Sequence, residues 1–281
     1  MNSNMILNRL FTQYNFDDLI HGQKNDVYMS VIKRFVQDPF SKNNGKIISE
    51  IYSYMSKNYR NEYFYQNTLL NKLLLGRHSI NTTTALTQIP INKSKADFIL
   101  INGKAVVYEI KTELDSFERL KNQINDYYKA FSHVCVVTCE EYYDKLSLIL
   151  QDTAVGICIL TNKNTLRFEK EPIADFSNIT HKYLFKMLHK KEFEDVLTKT
   201  FKKLPQVTPV FYYDECYNLF KTIPIMDAYK ATLKQLKKRN KITKEEFIQV
   251  PYELKSLMYF NSTYDNDYKL LRLFLNEMYR R

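Results

Sequence analysis

Asp97, Glu109 and Lys111 are charged residues set in two apolar runs of the chain, ADFILI and AVVYEIK. Glu109 and Lys111 are two apart, so on a strand both side chains leave the same face. A carboxylate pair beside an ammonium, carried on a rigid sheet, can hold a divalent cation and set a water against a phosphodiester. Magnesium takes oxygen ligands, usually one or two carboxylates with waters and substrate phosphate oxygens. Such an ion offsets phosphate charge and acidifies its water, while a lysine orients or deprotonates that water and stabilises the negative charge that develops. The plainer reading of the same three residues is an exposed strand face with a cross-strand salt bridge, which is worth little. Their apolar surroundings favour the site.

The turn between the two runs decides whether the three can meet. A two-residue Asn102-Gly103 turn pairs Ile101 with Lys104 and puts Asp97 opposite Tyr108, on the other face from Glu109. A three-residue loop, Ile101-Asn102-Gly103, with Gly103 left-handed and a G1 bulge, puts Asp97 on the face of Val107, Glu109 and Lys111. A working site requires that loop or an equivalent bulge.

The first third of the chain reads as helical. One pattern runs from about Phe16 to Phe40, a second from near Lys46 towards Tyr59, and a third is capped by Asn61 and stopped by Gly76. The period then changes to short apolar strands in TTTALTQIPI, ADFILI, AVVYEIK, HVCVVT and VGICIL. A helix is expected from Ser116 to Phe131, with Phe117, Leu120, Ile124 and Phe131 as its apolar stripe, and another from Glu140 to Leu150. Helices return from about Ser177, punctuated by prolines, with Thr243 and Glu246 as a capping box.

An acidic residue on one strand followed by Glu-x-Lys on the next, in the order helix, three strands, helix, strand, resembles the PD-(D/E)XK nuclease superfamily. Asp97 matches the first acid, Glu109 the second and Lys111 the lysine, while Ala96 stands where the motif has proline. Glu253-Leu254-Lys255 also reads Glu-x-Lys, but it follows Pro251 in a helical region with no strand pair around it. Gln123 and Tyr127 are four apart on the next helix and follow Arg119 by the same spacing. Gln-x-x-x-Tyr on this helix is a feature of the RecB-like branch, and the resemblance extends over roughly residues 60 to 160. It implies an α/β restriction-endonuclease-like core (αβββαβ) with a mixed central sheet and helical additions at both ends. It also implies Mg²⁺ or Mn²⁺ on Asp97, Glu109 and the Ile110 carbonyl, Lys111 acting on the water, and Gln123, Tyr127 and Arg119 positioning substrate. Many members carry a glutamate on the first core helix, here Glu62, with Glu50 the alternative. The expected organisation is an N-terminal helical segment over residues 1–45, the nuclease-like core over 46–175 and a helical domain over 176–281.

Composition is compatible with this and excludes other classes. The chain of 281 residues carries 41 Lys and Arg against 31 Asp and Glu, a net charge of +10, which suits a polyanionic partner, nucleic acid ahead of a membrane surface. Crowding with Lys, Asn, Ile and Tyr is also what an AT-rich genome produces. Lys234, Lys237, Lys238, Arg239 and Lys241 are available either for phosphates or for the dipole of the helix that carries them. With only five glycines there is no Walker motif, no G-x-G-x-x-G and no G-x-S-x-G, and His-Glu-x-x-His is absent. Four irregularly spaced cysteines are expected as reduced, packed thiols, and the absence of a signal-like or spanning apolar run points to a cytoplasmic protein. The expected activity is phosphodiester hydrolysis, most of all in DNA, with a homodimer as the assembly in which several such enzymes cut duplexes. A catalytically silent nucleic-acid binder of the same fold and a protein-interaction scaffold remain open alternatives.

Overall fold

The computed structural model describes residues 3–76, 79–239, 242, 244–261 and 265–280. Thr243 and Lys241, named above, lie outside them. The helices are α1 (Ile6–Leu10), α2 (Gln13–Ile20), α3 (Asp26–Phe35), α4 (Asn44–Asn58), α5 (Glu62–Leu69), α6 (Leu120–Tyr127), α7 (Tyr143–Ile149), α8 (His181–Lys186), α9 (Lys190–Phe201), α10 (Pro209–Phe220), α11 (Ile225–Lys237), α12 (Lys244–Ile248), α13 (Lys255–Phe260) and α14 (Asp265–Asn276). The strands are β1 (Thr84–Leu86), β2 (Ile89–Ile91), β3 (Ser94–Ala96), β4 (Phe98–Asn102), β5 (Lys104–Lys111), β6 (His133–Thr138), β7 (Gly156–Leu160) and β8 (Leu166–Lys170). By contacts the chain forms two compact units. One comprises residues 1–77, 112–114 and 242–281, the other 78–111 and 115–241. This division differs from the linear one at residues 45 and 175.

The first unit is helical. Asparagine side chains start three of its helices: Asn25, Asn43 and Asn61 accept the N–H groups of Tyr28, Lys46 and Phe64. The expected single helix over Phe16–Phe40 is in fact two, because Gly22 at φ +69° turns the chain between α2 and α3. Past α5 the backbone continues as a π-helical segment, Leu70–Leu75, that buries Leu70, Leu73 and Leu74 before Gly76. The C-terminal segment returns to these helices: Asn44 donates its backbone N–H to the Glu277 carbonyl at 2.9 Å and its side-chain amide to the Phe274 carbonyl at 3.0 Å.

The second unit is a mixed α/β structure. Its six-stranded sheet has the order β1-β4-β5-β6-β7-β8, antiparallel at β1/β4, β4/β5 and β7/β8 and parallel at β5/β6 and β6/β7. A separate hairpin pairs β2 with β3. Strand β8 has no counterpart among the strands read from sequence; its alternating half-buried and exposed residues lack an apolar run. The face bearing Ile99, Ala105, Val107, Val134 and Val136 shares one core with Leu120, Ile124 and Tyr127 of α6 and with α8 to α11. Helix α6 is shorter than the expected Ser116–Phe131, because its end tightens into i→i+3 bonds from Lys129 to Asp126 and from Ala130 to Tyr127.

The β4/β5 register settles the turn. Ile101 pairs with Ala105 and Asn102 with Lys104, leaving Gly103 alone at the apex with φ +73°. Gly103 is left-handed as expected, but the loop is displaced from Ile101–Gly103. The paired register ends at Phe98 with Tyr108. Asp97 follows at the bend between β3 and β4, where its carboxylate meets the backbone of Ile110, the residue between Glu109 and Lys111.

Candidate active site

Within the second unit, β5 delivers Glu109 and Lys111 to the end of the face whose earlier positions, Ala105 and Val107, are core. Glu109 is 1% exposed and Lys111 5% exposed, so the charges are interior groups. That burial excludes the exposed surface salt bridge as their explanation. Lys111 Nζ lies 2.9 Å from Glu109 Oε1 and donates to Gln123 Oε1 at 2.9 Å. The second Glu109 oxygen accepts from the Tyr127 hydroxyl at 2.5 Å. The same hydroxyl lies 2.8 Å from the Lys95 carbonyl. Burial pushes the Tyr127 phenol far above its ordinary range, and the negative charges of Glu109 and Asp97 add to this, so Tyr127 stays a neutral donor.

Asp97 sits half-buried at the bend between β3 and β4, and its Oδ2 accepts the backbone N–H of Ile110 at 2.9 Å. A residue in an extended strand sends its N–H and C=O to the same side. The Ile110 carbonyl is therefore directed to the side that Asp97 occupies. The next carbonyl, that of Lys111, goes the other way and accepts from Thr138 Oγ1 at 2.7 Å on β6. Two carboxylates and a strand carbonyl make an all-oxygen donor set, which fits a hard cation such as Mg²⁺. The hydrogen bonds already made by Glu109 do not preclude this, since each carboxylate oxygen has two lone pairs.

Gln123 and Tyr127, four apart on α6, both reach the β5 charges. Arg119 does not join them; it is the exposed residue preceding α6 and lines a groove with Gln123. Glu62 is the exposed first residue of α5 in the other unit, and Glu50 there is ion-paired with Lys42 at 2.6 Å. The second Glu-x-Lys, Glu253 to Lys255, lies in a 3-10 turn leading into α13, with Glu253 accepting from Ser49, so only the copy on β5 has a strand context. Of the basic cluster at the C-terminal end of α11, Arg239 binds Glu192 at 2.6 Å and the Met187 carbonyl, and Lys238 lies 3.3 Å from Asp195, so these two are engaged in structure.

Sequence reasoning missed the clamp beside the site. Asp126 accepts from Asn92 Nδ2 at 2.6 Å, Ser94 Oγ at 2.8 Å and Lys129 Nζ at 2.7 Å, fastening the β2/β3 hairpin to α6. Burial works against the charge of Asp126, but the hydrogen bonds from Lys129, Asn92 and Ser94 outweigh it and hold the carboxyl below its usual range. The signal was present as an Asn-Lys turn between Ile91 and Ser94, with Asp126 and Lys129 at helical i,i+3 spacing.

All four cysteines are buried and free, and among the described residues no helix is long and apolar enough to cross a membrane. Compared with known proteins, the family model described as bacteriophage P4 protein cII matches residues 55–262. No curated protein and no solved structure matches the chain.

Proposed function

The chain belongs to the bacteriophage P4 protein cII family, and from the residues gathered on its sheet we propose that it is a metal-dependent nuclease of the PD-(D/E)XK type, hydrolysing phosphodiester bonds and acting on DNA above other substrates. The observation that carries the reading is the meeting of Asp97, Glu109 and Lys111 at one end of a sheet, with Gln123 and Tyr127 of the following helix hydrogen-bonded to them. Held by Asp97, Glu109 and the Ile110 carbonyl, Mg²⁺ or Mn²⁺ would supply an acidified water and offset the charge of the scissile phosphate.

The protein's own groups supply position and charge. Gln123 fixes the direction of the Lys111 ammonium, which brings a buried positive charge to where negative charge develops on the phosphoryl oxygens. Tyr127 holds the Glu109 carboxylate in one orientation. The Ile110 N–H does the same for Asp97, so both carboxylates are held in defined orientations. Arg119 is included as a substrate-positioning group.

A second reading rests on burial. Glu109 and Lys111 are almost wholly enclosed, and both Glu109 oxygens are engaged. A silent nucleic-acid binder that keeps this network only to fasten α6 to the sheet has the same appearance. End-labelled linear and circular DNA, single- and double-stranded, incubated with Mg²⁺, Mn²⁺ or EDTA, separates the two. Cleavage that needs metal and disappears in Asp97→Ala and Lys111→Ala supports the nuclease. Binding without cleavage under every condition moves the silent binder ahead.

A further inference from the structure

We infer that the groove between the β2/β3 hairpin and α6 carries the backbone of a polynucleotide strand to the site, an inference that takes its occupant from the nuclease reading above. The groove has a volume of about 790 Å³, with hairpin residues 92–95 on one wall and residues 119–129 of the α6 region on the other. Gln123 lines it and also accepts from Lys111, so groove and charged network share a residue.

The charge of the groove identifies what it takes. Lys93, Lys95 and Arg119 line it, are exposed, and among the described residues have no ion-pair or hydrogen-bond partner for their side chains. The one carboxylate of the lining, Asp126, is already met by Asn92, Ser94 and Lys129. Three positive charges are thus left uncompensated along one concave surface, the arrangement that attracts successive phosphates. Asn122 and Asn125 add exposed amides between them. No aromatic ring is among the lining residues, so the groove has contacts for phosphates and none for base stacking.

The walls are fixed before any ligand arrives. Asn92 takes the left-handed turn conformation at φ 56°, which asparagine tolerates, and its amide is tethered to Asp126. The Lys95 carbonyl contacts the Tyr127 hydroxyl that also reaches Glu109. The backbone that carries Lys95 is thereby tied to the residues of the carboxylate site.

The test is fluorescence anisotropy of fluorescein-labelled single-stranded oligonucleotides, one of mixed sequence and one of oligo-dT, titrated in EDTA at several salt concentrations. The variant Lys93→Ala/Lys95→Ala/Arg119→Ala is compared with Lys186→Ala/Lys191→Ala/Lys199→Ala, which removes the same charge from exposed positions outside the groove. Far-UV circular dichroism checks that both are folded. The groove variant is expected to bind both oligonucleotides more weakly, with a log–log salt slope shallower by roughly 2, three contacts at about 0.7 each. Equal losses in the two variants, or no loss in the groove variant, overturn the inference. Because EDTA removes the need for cleavage, the two readings fail separately. Wild type that binds through the groove but never cleaves sinks the nuclease and leaves the groove; metal-dependent cleavage with unchanged binding by the groove variant does the reverse. No binding and no cleavage by wild type sink both.

Discussion

Tyr127 has one hydroxyl hydrogen and two oxygens in reach, the Glu109 carboxylate at 2.5 Å and the Lys95 carbonyl at 2.8 Å. Removing the hydroxyl leaves a buried carboxylate oxygen without a donor, so Tyr127→Phe is expected to cost about 1–3 kcal/mol in urea unfolding. An unchanged midpoint would show that the hydroxyl does not hold Glu109. Because the folded phenol sits far above its ordinary value of 10.0, the unfolded chain loses this proton first as pH rises. The phenol's contribution is therefore full below pH 10 and declines above it. Absorbance at 295 nm is expected to show Tyr127 ionising only as the fold opens, which the Tyr127→Phe difference titration reads directly. Lys111→Ala leaves Glu109 buried beside no ammonium, at a cost of about 3–5 kcal/mol. Adding Glu109→Gln to Lys111→Met is expected to recover some of this; strict additivity of the two changes would deny the coupling.

At the scale of elements, the hairpin depends on α6 through Asp126. That carboxyl titrates below its ordinary value of 3.8, so its contribution is complete above that value and is lost as pH falls through the lower, folded value. Asp126→Asn is expected to speed amide exchange across residues 89–96 at neutral pH and to flatten the stability slope below about pH 4. Exchange and slope both equal to wild type would show that the clamp is idle. On the same sheet face, Phe185 of α8 is 1% exposed and touches the rings of Phe193, Tyr213, Tyr217 and Phe220. Its truncation to alanine empties the centre of that helical layer, for an expected loss of about 3–5 kcal/mol.

At the scale of the whole molecule, the two ends of the chain belong to one unit. Leu254, Leu257 and Met258 are buried, and the carbonyls of Phe274 and Glu277 satisfy Asn44. Deleting residues 242–281 is therefore expected to strip exchange protection from α2 to α5, and retained protection there would refute this dependence. Local sequence by itself determined the pieces. Short continuous apolar runs marked β4 to β7, Asn61 marked a helix start, and Glu109 and Lys111 had to share a face because strand side chains alternate. Those signals live within a few residues of one another. What only tertiary structure decided involves residues far apart: the bend that set the Asp97 carboxylate on the Ile110 N–H, the joining of residues 242–281 to the N-terminal helices, and the clamp of Asp126 on Asn92 and Ser94. Bend, return and clamp are each chosen by which distant surface an element buries, and no local propensity encodes that choice.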